Sequence, residues 1–126
     1  MSEVVLKESI PKYGEYADGK LWFSRKGSMV TIGLTTMATE EVGEITSIEL
    51  PDEGDAFDKG DITVTIDGNL GNIEVTTPAA GVINEVNAAI KDESNIVTED
   101  PLEEGWLVKI EIEDTSDLKE FANIID

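Results

Sequence analysis

The segment from Ile62 to Gly81, ITVTIDGNLGNIEVTTPAAG, constrains the fold of this chain more than any other. Apolar and polar residues alternate on both sides of a turn rich in Gly and Asn, which is the pattern of two antiparallel strands joined as a hairpin. A Pro-Ala-Ala-Gly corner follows directly. We therefore expect central strands at 62–66 and 72–77 with a tight tip between them.

Alternation along the rest of the chain predicts further short strands, at 21–25, 29–34, 44–50, 81–86 and 106–113. A short helix is expected at 35–41, with Thr35 or Thr36 as N-cap and Gly43 as its stop, and another from Asn87 to Ile90. The segment 91–105 is predicted to be an acidic loop. About seven strands with glycine turns are typical of a β-barrel or sandwich with small helices at its edges.

The alternation also predicts which side chains are buried. Trp22 and Phe23 point to opposite faces of one strand, so we expect only one of them to lie fully in the core. Trp106 is expected to fill the core at the start of a strand, and Phe57 to hold a turn-rich loop against the core. In the strand at 44–50 we predict burial of the alternate residues Thr46, Ile48 and Leu50.

A length of 126 residues corresponds to a single domain. We expect that domain to span 1–126, with an N-terminal arm at 1–19 and a closing helix at 114–126. The helix is predicted from apolar residues at helical spacing, namely Leu118, Phe121, Ile124 and Ile125.

The charge of the chain excludes several classes of partner. The formal net charge is −19, from 28 acidic and 9 basic residues. Such a field repels phosphate backbones and anionic lipid, which argues against nucleic acid and membranes. It favours a basic protein partner and solubility as a monomer, and solubility alone explains it equally well. The N-terminal segment lacks the apolar core of a signal peptide, so we expect a cytoplasmic protein.

The chain contains no Cys and no His, which removes thiol nucleophiles, thiolate metal sites and the most common general base. Two acidic loops could in principle hold a hard cation. Neither has the spacing of a calcium hand, so we predict a solvated acidic surface and no metal site. Their residues are Asp52, Glu53, Asp55, Asp58 and Asp61 in one loop, and Glu99, Asp100, Glu103 and Glu104 in the other.

The order of motifs closely resembles the H protein family of the glycine cleavage system, small carriers with a lipoyl-domain fold. The resemblance runs from about Lys20 to the end, with Lys20-Leu21-Trp22 where the family commonly has His-x-Trp. It implies a flattened lipoyl/biotinyl-type β-barrel or sandwich with short flanking helices and a C-terminal helix. The matching motifs are Gly33-Leu34-Thr35, Glu49-Leu50-Pro51, Gly54-Asp55, Gly60-Asp61, Pro78, Gly81, Val86-Asn87, Glu99-Asp100-Pro101 and Gly105-Trp106-Leu107.

In the family that the chain resembles, a lysine at the hairpin tip bears the lipoyl arm, eight positions before the proline of the following corner. Counting back eight from Pro78 gives Leu70, which has no amine to acylate. No lysine lies from 60 to 90, and the flanking Lys59 and Lys91 lie at the other end of the hairpin and beyond the next strand. The resemblance therefore implies that the usual attachment site is missing and that no cofactor is bound.

The hairpin tip is nevertheless the candidate interaction site, and it consists of Asp67, Gly68, Asn69, Leu70, Gly71 and Asn72. Asp67 is the counterpart of an acidic residue that the family usually has three positions before its lysine. Because Asn and Gly tolerate positive φ, we expect the tip to close tightly. The simpler interpretation is a well-made turn, and the functional one is that Leu70 is an apolar contact for a partner.

Three hypotheses follow from these observations. The first is a non-lipoylated H-protein relative that binds glycine-cleavage or lipoate-handling enzymes as a scaffold, competitor or regulator. The second is a genuine lipoyl or aminomethyl carrier that uses another attachment mode, which is the one case in which lipoate would be a cofactor. The third, an enzyme on this scaffold, has no convergent motif to support it, so we expect the chain not to be an enzyme.

Overall fold

The computed structural model describes residues 13–17, 19–114 and 116. They form nine strands in two antiparallel sheets, with three short helices. The larger sheet has the order β1-β2-β3-β9-β8-β5 and the smaller the order β4-β6-β7. The strands are β1 Tyr13–Tyr16, β2 Leu21–Lys26, β3 Met29–Leu34, β4 Ile45–Glu49, β5 Ala56–Phe57, β6 Ile62–Gly68, β7 Asn72–Thr76, β8 Gly81–Val86 and β9 Val108–Ile112. The prediction of a mainly β fold with short flanking helices is confirmed.

One buried cluster joins the two sheets. Phe23 and Ile32 from the larger sheet and Ile66 and Val75 from the smaller sheet are fully excluded from solvent within it. Phe57 is half-buried and packs against this cluster, as predicted for the turn-rich loop. Apolar burial on this scale is the main favourable term in folding, so the cluster holds the two sheets face to face.

The three helices are α1 Thr36–Val42, α2 Ala89–Asp92 and α3 Asn95–Glu99. The Thr35 side chain caps α1 by accepting from the Ala38 N–H at 3.4 Å, and Gly43 ends the helix with φ at 76°, as the sequence predicts. Helix α3 corrects the prediction of a continuous loop over 91–105. A helix of five residues is too short to show a periodic apolar pattern, although it does bury Val97.

Both faces of β2 are covered, but only Phe23 of its two aromatic residues belongs to the core cluster, as the alternation predicts. Phe23 is 0% exposed and Trp22 is 4% exposed. The indole Nε1–H of Trp22 donates to the Pro101 carbonyl at 3.0 Å, so the segment after α3 lies over the outer face of the sheet. Gly33 leaves room for the ring, because a Cβ there would lie 2.6 Å from Trp22 Nε1.

Trp106 does not fill the core as predicted. It lies before β9 and is half-buried, with the Lys109 Nζ 4.9 Å from the centre of its ring. Leu107 takes the buried position instead. The Leu107 N–H donates to the Ile32 carbonyl at 2.8 Å, which joins the residue before β9 to β3.

The predicted buried face of β4 is only partly right. Ile48 and Leu50 pack against the core, but Thr46 is exposed and Ile45 packs in its place. The cause is an irregularity in the β4–β6 register between Ile45 and Ser47, which breaks the simple alternation of side chains.

The end of the predicted N-terminal arm forms strand β1, which pairs with β2 at the edge of the larger sheet. The Tyr16 hydroxyl donates to the Thr76 carbonyl at 2.6 Å and so connects this edge to β7 of the smaller sheet. Burial raises the pKa of the Tyr16 hydroxyl well above its usual value. The rest of the arm and the closing helix predicted at 114–126 lie outside the described residues, apart from residues 114 and 116. Among the described helices, none is long and apolar enough to cross a membrane.

Candidate interaction site at the hairpin tip

Strands β6 and β7 bring the six predicted tip residues together at one end of the smaller sheet. Asp67 and Asn72 form the last residue pair of the hairpin. Beyond that pair, the Gly68 N–H donates to the Gly71 carbonyl at 2.8 Å and closes the loop. The alternation in the sequence therefore placed the tip correctly, with β6 running two residues further than predicted.

The tip does not use the left-handed conformation that its Gly and Asn residues suggest. None of the residues from 67 to 72 has a positive φ. The positive φ near the tip belongs to Gly43, which faces the tip from the end of α1. The tip is held by hydrogen bonds to a neighbouring segment, so its own backbone does not need a left-handed residue.

The neighbouring segment is the junction between α1 and β4. The Leu70 N–H donates to the Val42 carbonyl at 3.0 Å, and the Asn69 N–H donates to the Glu44 carbonyl at 2.9 Å. The Asn69 side chain completes the set, because its Oδ1 accepts from the Glu44 N–H at 2.8 Å. The last carbonyls of a helix have no partner within the helix, and the tip satisfies one of them here.

Two glycines permit this close approach. A Cβ on Gly43 would collide with Asn69 Oδ1 and would lie 2.7 Å from Leu70 Cγ. A Cβ on Gly68 would collide with the Val42 carbonyl oxygen. The tip therefore lies directly against the end of α1, with no room for a side chain between them.

The Leu70 side chain lies beside Gly43 and is mostly exposed to solvent. It is 70% exposed, against 45% for Ile62, the next most exposed large apolar residue in the described part of the chain. A fixed backbone with an exposed apolar side chain can contact another molecule without first being ordered, which lowers the entropic cost of binding.

Several charged residues lie on α1 or next to it, on the segment that contacts the tip. Lys20 Nζ forms an ion pair with Glu41 Oε1 at 3.0 Å. The backbone carbonyl of Glu41 lies 3.3 Å from the position that a Cβ on Gly71 would take, so the α1 backbone at Glu41 lies beside the tip. Glu40 and Glu44 are exposed on the same segment. Sequence reasoning marked Gly43 as a helix stop, but it contained no signal that α1 would contact the tip.

The two lysines that flank the hairpin in sequence lie away from its tip in the fold. Lys59 lies in the turn before β6, where the neighbouring Gly60 N–H donates to the Thr77 carbonyl at 2.9 Å. This is the opposite end of the hairpin, since β6 begins at Ile62 and pairs there with Thr76. Lys91 lies on α2, after β8.

The first acidic loop uses its carboxylates to close its own turns. Asp52 to Asp55 and Asp58 to Asp61 form two turns of the same kind, DEGD and DKGD, each with a glycine at positive φ. In each turn the last aspartate accepts from the N–H of the first, at 3.0 Å and 2.9 Å. Within the described ranges, no group of three or more His, Cys, Asp or Glu residues is arranged to hold a metal ion.

Comparison with known proteins identifies relatives along almost the whole chain. The glycine cleavage H-protein family profile matches residues 13–125. A glycine cleavage system H protein of Anaeromyxobacter sp. (strain K) is 36% identical over 110 residues, covering 87% of this chain and 86% of the relative. One from Staphylococcus epidermidis (strain ATCC 35984) is 35% identical over 115 residues, covering 91% of each chain.

A solved structure supports the fold. The crystal structure of a glycine cleavage system H protein from Mycobacterium marinum superposes with a TM-score of 0.73 at 22% identity, covering 88% of this chain and 97% of that chain. H proteins are carriers and not enzymes, which agrees with the expectation that this chain is not an enzyme. The family profile and the two relatives together show that this chain belongs to the glycine cleavage H-protein family.

Proposed function

We propose that this chain is an H-protein relative that is not lipoylated at the hairpin and acts by binding another protein through its tip. The observation that carries the proposal is Leu70, whose backbone is anchored to α1 and whose side chain is 70% exposed. The sequence resemblance to the family implies that the lipoyl-bearing lysine would stand at this position, and the proposal takes Leu70 as its replacement. A leucine has no nucleophilic nitrogen and cannot form the amide that holds lipoate.

The partner we propose is a glycine-cleavage or lipoate-handling enzyme with a basic surface. Full burial of a leucine side chain contributes about 1.5–3 kcal/mol, which makes Leu70 a plausible anchor for a matching apolar pocket. The net charge of −19 would speed association with a positively charged partner, and it acts through carboxylates such as Glu40, Glu41 and Glu44 beside the tip. The proposal further takes 1–126 as one domain that is monomeric and cytoplasmic.

The first test is the intact mass of the protein isolated from its native host. We expect the mass of the unmodified chain. A mass increase that matches a lipoyl group, at any residue, would overturn the proposal.

The second test is binding to purified glycine-cleavage and lipoate-handling enzymes from the same host. We expect Leu70→Ala to weaken binding about tenfold, since truncation of a buried anchor costs at least 1 kcal/mol. Leu102→Ala is the matched control, because Leu102 is also exposed, at 37%. Equal loss in both variants, or no binding by the unmodified chain, would count against a role for the tip.

One observation supports the alternative of a carrier with another attachment point. Lys20 forms an ion pair with the side chain of Glu41, and the backbone carbonyl of Glu41 faces Gly71 of the tip. Lys20 is also the residue that stands in place of the histidine in the family's His-x-Trp element. Under this alternative, peptide mapping would locate a lipoyl mass on Lys20, and Lys20→Arg would abolish it while keeping the positive charge.

A further inference from the structure

A small pocket lies between β4 and α2, outside the hairpin tip. It has a volume of about 180 Å³ and is lined by Thr46, Ser47, Ile48, Ile90, Lys91 and Ser94. The volume is below the roughly 300 Å³ at which sites for drug-sized ligands begin, so only a short molecule would fit. Neither the family resemblance nor the proposed tip interaction involves this pocket.

The pocket contains hydrogen-bond donors that the protein itself leaves unused. Among the described residues, Lys20 and Lys109 form ion pairs with glutamates, whereas the Lys91 ammonium has no partner. The hydroxyls of Ser47 and Ser94 likewise form no side-chain hydrogen bond within the part of the chain described. Lys26, exposed at the end of β2, is another described lysine without an ion pair, but it does not line this pocket.

The remaining lining residues indicate which other chemical groups a ligand of this pocket would have. Ile48 and Ile90 supply apolar surface from β4 and α2. No acidic side chain lines the pocket, so a positively charged group would find no partner there. Together these groups match a negatively charged head with a short apolar body.

We propose that this pocket binds a short-chain aliphatic monocarboxylate. The carboxylate accepts from the Lys91 ammonium and from the hydroxyls of Ser47 and Ser94, and the alkyl chain packs on Ile48 and Ile90. A zwitterionic amino acid of the same length is disfavoured, because its ammonium group would be desolvated without a partner. The site stands independently of the proposed tip function, so either one can fail without the other.

The test is a nuclear magnetic resonance titration of the ¹⁵N-labelled full chain with pentanoate. We expect saturable shifts centred on the amides of Ile48, Lys91 and Ser94. The neutral isostere pentanamide and the zwitterion norvaline should each bind about fivefold more weakly, which is the upper range for an exposed charge contact. Shifts that do not saturate, that centre elsewhere, or that are equal for pentanoate and pentanamide would overturn the proposal without any mutation.

Variants test the assignment to Lys91. Lys91→Met removes the charge, keeps the apolar stem and should weaken pentanoate binding about fivefold. Lys26→Met is the matched control, since Lys26 is another exposed lysine without an ion pair in the described structure, at the end of β2. Equal affinity in the Lys91→Met variant and the unmodified chain, or equal losses in both variants, would assign the binding to general electrostatics and refute the site.

Discussion

The backbone N–H of Leu70 donates to the carbonyl of Val42 at 3.0 Å, which joins the tip of one hairpin to the end of a helix 28 positions earlier in the chain. The bond satisfies a carbonyl that the helix leaves without a partner, so it stabilises both elements. It also separates two properties of Leu70, since the backbone is anchored while the side chain stays exposed. The following predictions test this arrangement.

Replacing Leu70 with lysine should create a lipoyl attachment site at the hairpin tip, if the proposed function is right about this position. The tip backbone is already anchored, and an exposed side chain can be exchanged with a change in stability of no more than about 0.5 kcal/mol. We expect intact mass spectrometry to show a lipoyl mass on Leu70→Lys after incubation with a lipoate–protein ligase, lipoate and ATP, and none on the unmodified chain. Leu102→Lys controls for acylation of any exposed lysine. No mass gain by Leu70→Lys would contradict the assignment of position 70 as the lipoyl position.

Replacing Gly43 with alanine should strongly destabilise the protein. The residue has φ at 76°, and a Cβ would collide with Asn69 and crowd Leu70. We expect a loss of about 2–4 kcal/mol in urea unfolding, from left-handed strain and steric overlap together. Gly27→Ala is the matched control, because Gly27 has φ at 63° with open space around its Cβ position. Its loss should be only about 1–2 kcal/mol. Similar losses of unfolding free energy in Gly43→Ala and Gly27→Ala would show that the contact between Gly43 and the tip does not contribute to the effect.

Replacing Asn69 with alanine should loosen the tip without unfolding the protein. The change removes the Oδ1 acceptor of the Glu44 N–H, at a cost of about 0.5–1.5 kcal/mol. Hydrogen exchange should become faster at the amides of Glu44 and Leu70. Asn72→Ala, another exposed tip residue, removes no such bond and should leave both exchange rates unchanged. Unchanged exchange in Asn69→Ala would contradict the anchoring role.

The Tyr16 hydroxyl should make stability depend on pH in the alkaline range. Burial raises its pKa in the folded protein, so above about pH 10 the unfolded chain loses this proton while the folded protein keeps it. This contribution is fully present below about pH 10 and decreases as the pH rises further. Tyr16→Phe removes the bond to Thr76 and should cost about 0.5–1.5 kcal/mol near neutral pH.

The deciding measurement is the difference in unfolding free energy between the unmodified chain and Tyr16→Phe as a function of pH. Urea unfolding of both between about pH 8 and pH 11 should show the unmodified chain losing stability more steeply than Tyr16→Phe. Parallel curves would mean that Tyr16 does not titrate differently in the folded and unfolded states. Other groups that titrate in this range are common to both proteins and cancel in the comparison.

The sequence by itself determined seven of the nine described strands, all but β1 and β5, together with the hairpin and the identity of the tip residue. Alternating side chains are a local property, so β3 and β8 have the predicted bounds and the tip falls where the Gly and Asn residues predict. The absence of lysine from 60 to 90 is likewise a fact of the sequence, which no fold can alter. The capping of α1 by Thr35 and its end at Gly43 also follow from local backbone chemistry.

Only the tertiary structure decided what lies against these elements. The contact between Leu70 and Val42, the cover over Trp22 by the segment at Pro101, and the approach of Lys91 to β4 each join segments far apart in sequence. Such contacts depend on how two surfaces pack, and a local pattern contains information about only one of them at a time. For the same reason a five-residue helix such as α3, which packs Val97 into the core, leaves no periodic signal in the sequence.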